Sequence, residues 1–368
     1  MNLRRSSRII IICISAVLFL LSGCGVSGDF SALEQLRVVR TLGYDRTGTR
    51  VTVSVSGDTP GADAPPLRLR SEGSGIREAM DGLRQRTGEG ELFYPHTQFF
   101  VVGRGTAEQG IHALLDYAER DEHLRLGAWL FVLEKDAAAL IADAGDDTFD
   151  VTETLISARK DLTRRGGRVA DLRETAVALS EYGAAPVCVL RMEEAESGVS
   201  LCAGGCGVLR DGVLVDVLPE GQSDAFGLLK QDPGLRTRSV LNGKATLEYS
   251  GSAEFTPRWN PDGSPGPFGI DLIIQAGVAE GGAGIPPDTM AAALQEELTA
   301  DVYGLLTHLQ ELDADLLALG RTLRLSGGSR YSALPSDWLK RMTFEVTAEV
   351  LFSRGYDLDD ASAGEDRL

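Results

Sequence analysis

The sequence predicts an elongated α+β protein of three domains, each a mixed β-sheet with packed helices. The first observation is the length, because 368 residues exceed the usual size of one domain. The second is the composition, since 43% hydrophobic and 24% charged residues are typical of globular chains. The third is that apolar residues recur with helix and strand periods in alternating segments. We expect domains at residues 24–185, 186–258 and 259–368, after a signal peptide at residues 1–23.

The N-terminus has the three zones of an export signal. A basic start with three arginines precedes an apolar run from Ile9 to Leu21, which ends in Leu21-Ser22-Gly23-Cys24. As a helix this run would cover about 20 Å, which is less than the roughly 30 Å of a bilayer core. The leucine and the two small residues before Cys24 form a lipobox, so we expect cleavage before Cys24 and a two-chain lipid anchor on its thiol. An uncleaved signal anchor is the alternative.

The chain is strongly acidic. Lys and Arg total 36 against 54 Asp and Glu, which gives a formal net charge of −18. This balance argues against nucleic-acid binding by the bulk surface, because such affinity comes largely from Lys and Arg that displace counterions from phosphates. Anionic lipid would repel the chain too. The lipid on Cys24, rather than electrostatic attraction, is therefore expected to hold the protein at a membrane.

The first domain is predicted to begin with a β-hairpin and to contain a βαβ unit. Residues 57–73 are rich in Pro, Gly and Asp and predict a loop, and a helix at 74–86 is expected to have Ser74 as its N-cap. Apolar runs at 97–102 and 126–133 flank a helical stripe, which predicts a parallel crossover. Further helices are expected at residues 136–143, 151–162 and 168–180.

The rest of the chain alternates strand signals with one long helix. Asp211-Gly212 predicts a tight hairpin turn, and residues 256–267, with four prolines, predict a linker. A stripe of apolar residues that ends at Leu316 predicts a long amphipathic helix starting near Asp288. The later strands are expected at residues 187–192, 206–210, 213–217, 270–278 and 344–352.

Three cysteines follow Cys24. Because their number is odd, Cys188, Cys202 and Cys206 cannot all pair within one chain. The spacing of Cys202 and Cys206 is Cys-x3-Cys, and no nearby histidine completes a zinc site, so we expect no metal here. Two alternatives stay open, namely buried free thiols, or a disulfide that joins Cys202 to Cys206 or includes Cys188.

No motif makes a case for catalysis or for a cofactor. The turn Gly103–Gly105 stands where a dinucleotide-binding turn would, but Glu108 occupies the third glycine position and Thr106–Gln109 reads as a capping box. The aspartates of residues 143–150 lack the order of a calcium loop. The histidines are far apart in sequence, at His96, His112, His123 and His308. We therefore expect a protein that is not an enzyme and that holds no metal or cofactor.

Several short motifs follow one another along the chain. They are Leu42-Gly43-Tyr44-Asp45, Phe93-Tyr94-Pro95-His96-Thr97-Gln98, Arg120-Asp121, Leu124-Arg125-Leu126, Gly207 to Val215, Ala314-Asp315, Gly320, Trp338 and Arg354-Gly355. Together with the lipobox, this set resembles the Ger(x)C family, the lipoprotein C subunits of spore germinant receptors. The resemblance covers nearly the whole chain after Cys24. One departure is Cys24-Gly25-Val26, which replaces the family's usual Cys-Trp-Asp.

The resemblance implies three α+β domains and a complex with the A-type and B-type membrane subunits of the receptor. It also implies attachment to the outer face of the cell membrane, which becomes the inner membrane of the spore. His96, Arg120, Asp121 and Arg125 match the family's pattern around the βαβ unit. We expect Arg120 and Asp121 to fix the helix-to-strand turn and His96 to orient the start of the strand. Contact with a partner is the alternative role for these four residues.

The sequence thus predicts a lipid-anchored receptor subunit that helps to assemble or transmit a germination response to small nutrients. The first alternative is a stand-alone extracytoplasmic solute-binding lipoprotein, which a ligand would stabilise against heat. The second is a hydrolase acting on the spore cortex or cell wall, whose activity would depend on a single carboxylate.

Overall fold

The computed structural model describes residues 36–60, 65–88, 90–142, 149–195 and 198–352. The predicted signal peptide, the lipidation site Cys24 and the acidic C-terminal tail lie outside these residues. No helix in the described part of the chain is long and apolar enough to cross a membrane.

Nine strands form the first sheet, in the order β3-β2-β1-β5-β6-β7-β8-β9, with the short β4 beside β1. Their bounds are β1 Leu36–Thr47, β2 Arg50–Asp58, β3 Leu67–Gly73, β4 Glu91–Phe93, β5 Phe99–Gly103, β6 Trp129–Leu133, β7 Ala184–Ala195, β8 Gly198–Arg210 and β9 Val213–Val217. Strands β1, β4, β5, β6 and β7 are parallel, and each flank of the sheet is completed by antiparallel strands. The predicted parallel crossover from β5 to β6 is confirmed.

Helices cover both faces of the parallel strands. Their bounds are α1 Ile76–Arg86, α2 Arg104–Ala107, α3 His112–Arg120, α4 Ala137–Ile141, α5 Val151–Arg164 and α6 Leu172–Tyr182. Phe100 and Val102 of β5 pack with α1, α3 and α6, whereas Phe99 and Val101 pack with α4 and α5. Because successive side chains of a strand point to opposite faces, a strand buried on both sides reads as the continuous apolar run seen in the sequence.

Three local predictions for this sheet are wrong. Residues 67–73, predicted as loop, form β3, because the Pro and Gly residues are concentrated before Leu67 and the sequence alternates after it. Gly75, not Ser74, is the N-cap of α1, and the Ser74 amide and hydroxyl donate to Glu78 at 2.8 and 2.6 Å. Thr106 starts no capping box, since it lies inside α2 and its hydroxyl accepts a hydrogen bond from the Arg46 amide at 2.7 Å.

The second sheet has the strand order β10-β11-β12-β13 and packs against a long helix. The bounds are α7 Glu220–Leu229, β10 Arg236–Val240, β11 Ala245–Thr256, β12 Phe268–Gly281, α8 Pro287–Leu312, α9 Leu319–Gly327, a 3-10 helix Gly328–Ala333, α10 Trp338–Arg341 and β13 Phe344–Phe352. Strands β12 and β13 are parallel. They are connected through α8, in the strand–helix–strand order that the sequence predicts. The predicted stripe is buried from Leu294 to Leu309, but the helix ends at Leu312, before Leu316.

The α+β class is confirmed, and the described residues form two sheets rather than one sheet for each of three domains. Strand β7 spans the predicted boundary at residue 185 and pairs with β6, so β7, β8 and β9 complete the first sheet. The predicted linker at 256–267 connects β11 to β12, which pair along their whole length. The prolines of this segment therefore belong to a long hairpin loop, in which Trp259 forms a bridge to Pro265.

The two sheets share a hydrophobic core at a seam. Ala184, Cys206 and Val208 of the first sheet belong to the same buried cluster as the inner faces of β11, β12 and α8. Arg236 of β10 is 2% exposed, and its guanidinium donates to the Gly166 carbonyl after α5 at 2.7 Å. The two sheets are thus fastened by apolar packing and by a buried charged hydrogen bond.

Candidate functional site

The parallel strands of the first sheet start at one common end, here called the proximal end. It is where β1, β4, β5 and β6 begin, because β1 pairs in parallel with β4 and β5, and β5 in parallel with β6. His96 precedes β5, and the segment from Arg120 to Arg125 precedes β6. The topology therefore brings all four residues predicted from sequence to the end where β1 begins, at Leu36.

His96 lies exposed in the turn before β5. Its ring centroid is 5.4 Å from that of Phe93. The hydrogen bonds of the turn are made by Thr97, whose amide and hydroxyl both donate to the Tyr94 carbonyl, at 2.8 and 2.7 Å. Thr97 is fully buried, so it holds the start of the strand while the imidazole of His96 faces solvent.

Asp121 orders the turn from α3 to β6. It is the C-cap residue of α3, where its amide donates to the Tyr117 carbonyl, and its carboxylate accepts the His123 amide at 2.9 Å. Arg120 is the last residue of the helix and pairs with Asp116, Nε to Oδ1 at 2.9 Å. Both partners of that pair are exposed, so the pair adds little to stability.

Arg125 is the free cation of this group. The residue is exposed, and within the described ranges no hydrogen-bond acceptor or carboxylate pairs with its guanidinium. Its backbone carbonyl accepts the Ala128 amide at 3.1 Å, which is a contact that any residue could make. The side chain is therefore available to another molecule, whereas Asp121 is engaged within the fold.

Tyr94 also lies at this end, although the sequence predicts no role for it. It is 4% exposed, and its hydroxyl is buried without a hydrogen-bond partner among the described residues. Burial raises the pKa of Tyr94 above its usual range. Nearby, burial and a hydrogen bond to Asp121 raise the pKa of Tyr117 to about 12. Tyr94 comes to lie in this environment because β4 and β5 both pair in parallel with β1. Periodicity in the sequence does not predict that pairing.

A concave surface of about 360 Å³ opens at the proximal end. Its lining includes Arg84, Leu92, Tyr94, Pro95 and His123. The rim mixes charge of both signs, since both Arg84 and Glu91 line it. The proximal end therefore offers an apolar floor with a charged rim, which is the composition of many protein interfaces.

A second concave surface lies at the seam between the sheets, with a volume of about 250 Å³. It gathers residues of the later motifs, among them Arg210, Asp315, Gly320 and Trp338. The guanidinium of Arg210 donates to the Leu312 carbonyl at 2.9 Å. The carboxylate of Asp315 accepts the amides of Leu319 and Gly320 at 2.7 and 2.8 Å, and burial raises its pKa.

The remaining candidates have structural partners. The ring of His308 is hydrogen bonded to Gln222 and Asp216 at 2.8 and 2.9 Å, and the ring of His112 contacts the Asp211 carbonyl. Asp150 caps α5 by accepting the Thr152 amide, while residues 143–148 lie outside the described residues. In the part of the chain that the structure describes, no three His, Cys, Asp or Glu side chains gather to hold a metal ion.

Comparison with known proteins gives a family for the first part of the chain. Residues 29–165 match the family described as spore germination protein N-terminal domain. This range contains His96, Arg120, Asp121 and Arg125. No curated protein shows significant sequence similarity to the chain.

The fold is similar to that in a solved structure, the crystal structure of the GerBC protein. The TM-score is 0.53 at 11% sequence identity, and the similarity covers 84% of this chain and 96% of that chain. At this identity the comparison establishes a shared fold over both sheets. It agrees with the two-sheet α+β architecture described above.

Proposed function

We propose, from its membership of the Ger(x)C family of spore germination proteins, that this chain is the lipid-anchored C subunit of a germinant receptor. Its role would be the assembly or signalling of a complex with the A-type and B-type membrane subunits, without catalysis. The single observation that carries this proposal is the match of residues 29–165 to the spore germination N-terminal domain.

Geometry supports a membrane-proximal interface. A lipid on Cys24 would attach the chain twelve residues before Leu36, where β1 begins. Because an extended residue spans about 3.3–3.6 Å, the proximal end would lie within about 40 Å of the bilayer surface. Confinement to a surface raises the effective concentration toward a neighbouring subunit, so even a modest interface would suffice.

Arg125 is the residue best suited to contact a partner there. Its charge is exposed and unpaired in the described chain, unlike that of Arg120, which pairs with Asp116. We propose that Arg125, with exposed His96, meets a membrane subunit, while Asp121 holds the turn that presents them.

The test is a tagged pull-down from the detergent-solubilised inner membrane of sporulated cells. We expect the wild type to recover two polytopic membrane proteins and Cys24→Ala to lose them. Arg125→Ala should reduce recovery severalfold at an unchanged melting temperature. Arg50→Ala is the matched control, because Arg50 is an exposed arginine at the opposite end of the same sheet.

Each contrary result has a distinct meaning. If lipidated wild-type protein recovers neither membrane protein, the receptor-subunit proposal fails. Full recovery with Arg125→Ala would move the interface away from the proximal end while leaving the family role intact.

The second candidate is a solute-binding lipoprotein, and the observation that favours it is the concave surface at the seam. Residues from both sides of the seam line it, including Tyr182 of α6, Arg210 of β8 and Trp338 of α10, and ligand sites often lie between such units. A small polar solute bound there would raise the melting temperature of the purified chain in proportion to the logarithm of its concentration. Thermal scans with Trp338→Ala as the binding-deficient control distinguish this candidate from the receptor subunit.

A further inference from the structure

Two cysteines face each other across neighbouring strands. Cys188 of β7 lies directly opposite Cys206 of β8 in the antiparallel register. In an antiparallel ladder, pairs of opposite residues whose backbones are hydrogen bonded to each other alternate with pairs whose backbones are not. The amide of Cys206 donates instead to the Ser223 hydroxyl at 3.2 Å, and its carbonyl accepts the Leu218 amide at 2.9 Å. Cys188 and Cys206 are therefore a non-hydrogen-bonded pair.

That kind of pair has the right spacing for a covalent bond. Opposite Cα atoms in non-hydrogen-bonded pairs are about 4.5 Å apart, and disulfides join Cα atoms about 4.4–6.8 Å apart. Both side chains project from the same face of the sheet, because directly opposite residues share a face. A β-bulge between Val189 and Leu190 lies next to the pair and increases the local twist.

The register also decides which cysteines pair. Cys202 lies opposite Arg191, and its Sγ is 3.8 Å from the Arg191 carbonyl oxygen. Cys202 and Cys206 are both on β8, with the bulge between their positions. Because the residue opposite Cys202 is Arg191, Cys202 has no cysteine across from it on β7. The choice left open by the sequence therefore falls on Cys188 and Cys206.

A disulfide between the two thiols would break only weak interactions. Cys188 and Cys206 are 3% and 8% exposed, and among the described residues each sulfur has only a long contact of 3.8 Å, to the next carbonyl oxygen of its own strand. Burial raises the pKa of Cys206 to about 12 and that of Cys188 further. Both nevertheless line a concave surface of about 520 Å³, which gives a small disulfide reagent a route to them.

We propose that Cys188 and Cys206 form a cross-strand disulfide when the chain meets a disulfide oxidant. The thiolate of one cysteine attacks a sulfur of the oxidant, which releases one thiol and leaves a mixed disulfide. The second cysteine then displaces the oxidant's remaining half as a second thiol. Two electrons and two protons pass from the pair to the oxidant, which ends as two thiols.

The bond would fasten the first sheet next to the seam. It would close a loop of seventeen intervening residues, and Cys206 already contacts α7 through the Ser223 hydroxyl. A closed loop restricts the unfolded chain, so the oxidised protein should melt at a higher temperature than the reduced protein.

The experiment uses the full chain purified in detergent and equilibrated with glutathione disulfide. Remaining thiols are then blocked with N-ethylmaleimide, and tryptic peptides are analysed by mass spectrometry. Trypsin leaves Cys188 in the peptide 174–191 and both other cysteines in the peptide 192–210. We expect these two peptides to be linked, and the melting temperature to rise by a few degrees over the reduced sample.

Variants assign the bond within the second peptide. Cys202→Ala should keep the link and the thermal shift, whereas Cys206→Ala and Cys188→Ala should lose both. Circular dichroism of the reduced variants shows that each is folded. Absence of the link in the wild type, or a link that persists in Cys206→Ala, would overturn the assignment. Neither measurement depends on the proposed receptor role.

Discussion

Asp45 joins three elements of the first sheet through one carboxylate. It ends the motif Leu42–Asp45 on β1, is 6% exposed, and accepts the amides of Ala137 and Ala138 at the start of α4, at 2.8 and 2.9 Å. Its carboxylate also packs against Gly103 at the end of β5. Burial raises the pKa of Asp45, and the amide hydrogen bonds oppose that shift. The glycine turn that a nucleotide would need is thus occupied by the protein's own carboxylate.

Gly103→Ala should destabilise the fold. A Cβ atom at this position would collide with Oδ1 of Asp45 and lie 3.0 Å from Cα of Asp136. Overpacking of this kind costs about 1–3 kcal/mol of unfolding free energy. Urea unfolding followed by circular dichroism measures the loss.

Gly105→Ala is the control for that change. Gly105 lies two residues further on, inside α2, and a Cβ atom there would meet nothing within 4 Å. Alanine should therefore be neutral or slightly stabilising, because it is a better helix former than glycine. Equal losses in the two variants would show that the contact with Asp45 is not the cause.

Asp224 on α7 predicts a pH dependence of stability. Burial raises its pKa to about 6, while Arg238, 3.9 Å away, and Arg236 oppose the shift and Glu220 and Asp301 add to it. Between about pH 4 and pH 6, the Asp224 carboxyl is therefore protonated in the folded protein, whereas in the unfolded chain, with an ordinary carboxyl pKa of about 4, it has released its proton. This contribution is present in acid below the unfolded pKa and is lost as the pH rises through about 6.

Asp224→Asn removes this titration. Relative to the wild type, the variant should gain stability between pH 4 and pH 7, as measured by urea midpoints at the two pH values. Asp288→Asn, at an exposed carboxylate at the start of α8, controls for the general effect of removing one negative charge. A constant difference between wild type and Asp224→Asn across this range would contradict the assignment.

At the scale of elements, the long helix α8 supports the second sheet. Leu298 is fully buried in its middle, and Val302 and Leu305 continue the same stripe. Leu298→Ala should lower the free energy of unfolding by about 2–5 kcal/mol, because it leaves a cavity in a closed core. Glu296→Ala, two residues earlier on the exposed face, should change it by less than about 0.5 kcal/mol. Denaturant unfolding of both variants tests the comparison.

Elements with strong periodicity were predictable from the sequence, and short polar elements were not. The crossover from β5 to β6 and the helix α8 have long apolar patterns that depend only on neighbours along the chain. Strand β10 reads Arg-Thr-Arg-Ser-Val and α7 contains two glycines, so neither has a clear local signal. Both form because Val240, Phe226 and Leu228 are buried in the shared core.

The candidate site shows the same division. The resemblance pointed to His96 and Arg125, and helix and strand order placed them near β5 and β6. The burial of the Tyr94 hydroxyl, without a hydrogen-bond partner among the described residues, depends on tertiary packing that no local pattern encodes. The position of Cys188 opposite Cys206 depends likewise on the register of β7 with β8 and on the bulge in this strand pair.

At the scale of the whole molecule, the seam determines whether the two sheets unfold together. The sequence suggested separate domains because the loop at 256–267 resembles a linker, while the pairing of β7 with β6 spans about fifty residues of chain. The shared core and the Arg236 hydrogen bond couple the two sheets, so we expect the wild type to unfold in one transition.

Gly234→Ala should break that coupling. Gly234 has a φ of +133° and precedes β10, where the Leu235 amide donates to the Arg164 carbonyl at 2.9 Å. A Cβ atom on Gly234 would lie 2.5 Å from the Thr163 carbonyl and 2.6 Å from that of Arg164, and backbone cannot move aside as a flexible side chain can. We expect a loss of at least about 2 kcal/mol and a melting curve that separates into two steps.

Gly263→Ala separates this effect from backbone strain. Gly263 also has a positive φ, of +86°, but it lies in the loop between β11 and β12, where a Cβ atom would meet nothing within 4 Å. It should lose about 1 kcal/mol through strain alone and keep a single transition. Thermal unfolding followed by circular dichroism, with limited proteolysis between the transitions, compares the two variants. A single transition in Gly234→Ala, lowered no more than in Gly263→Ala, would show that the sheets cooperate without the contact at Gly234.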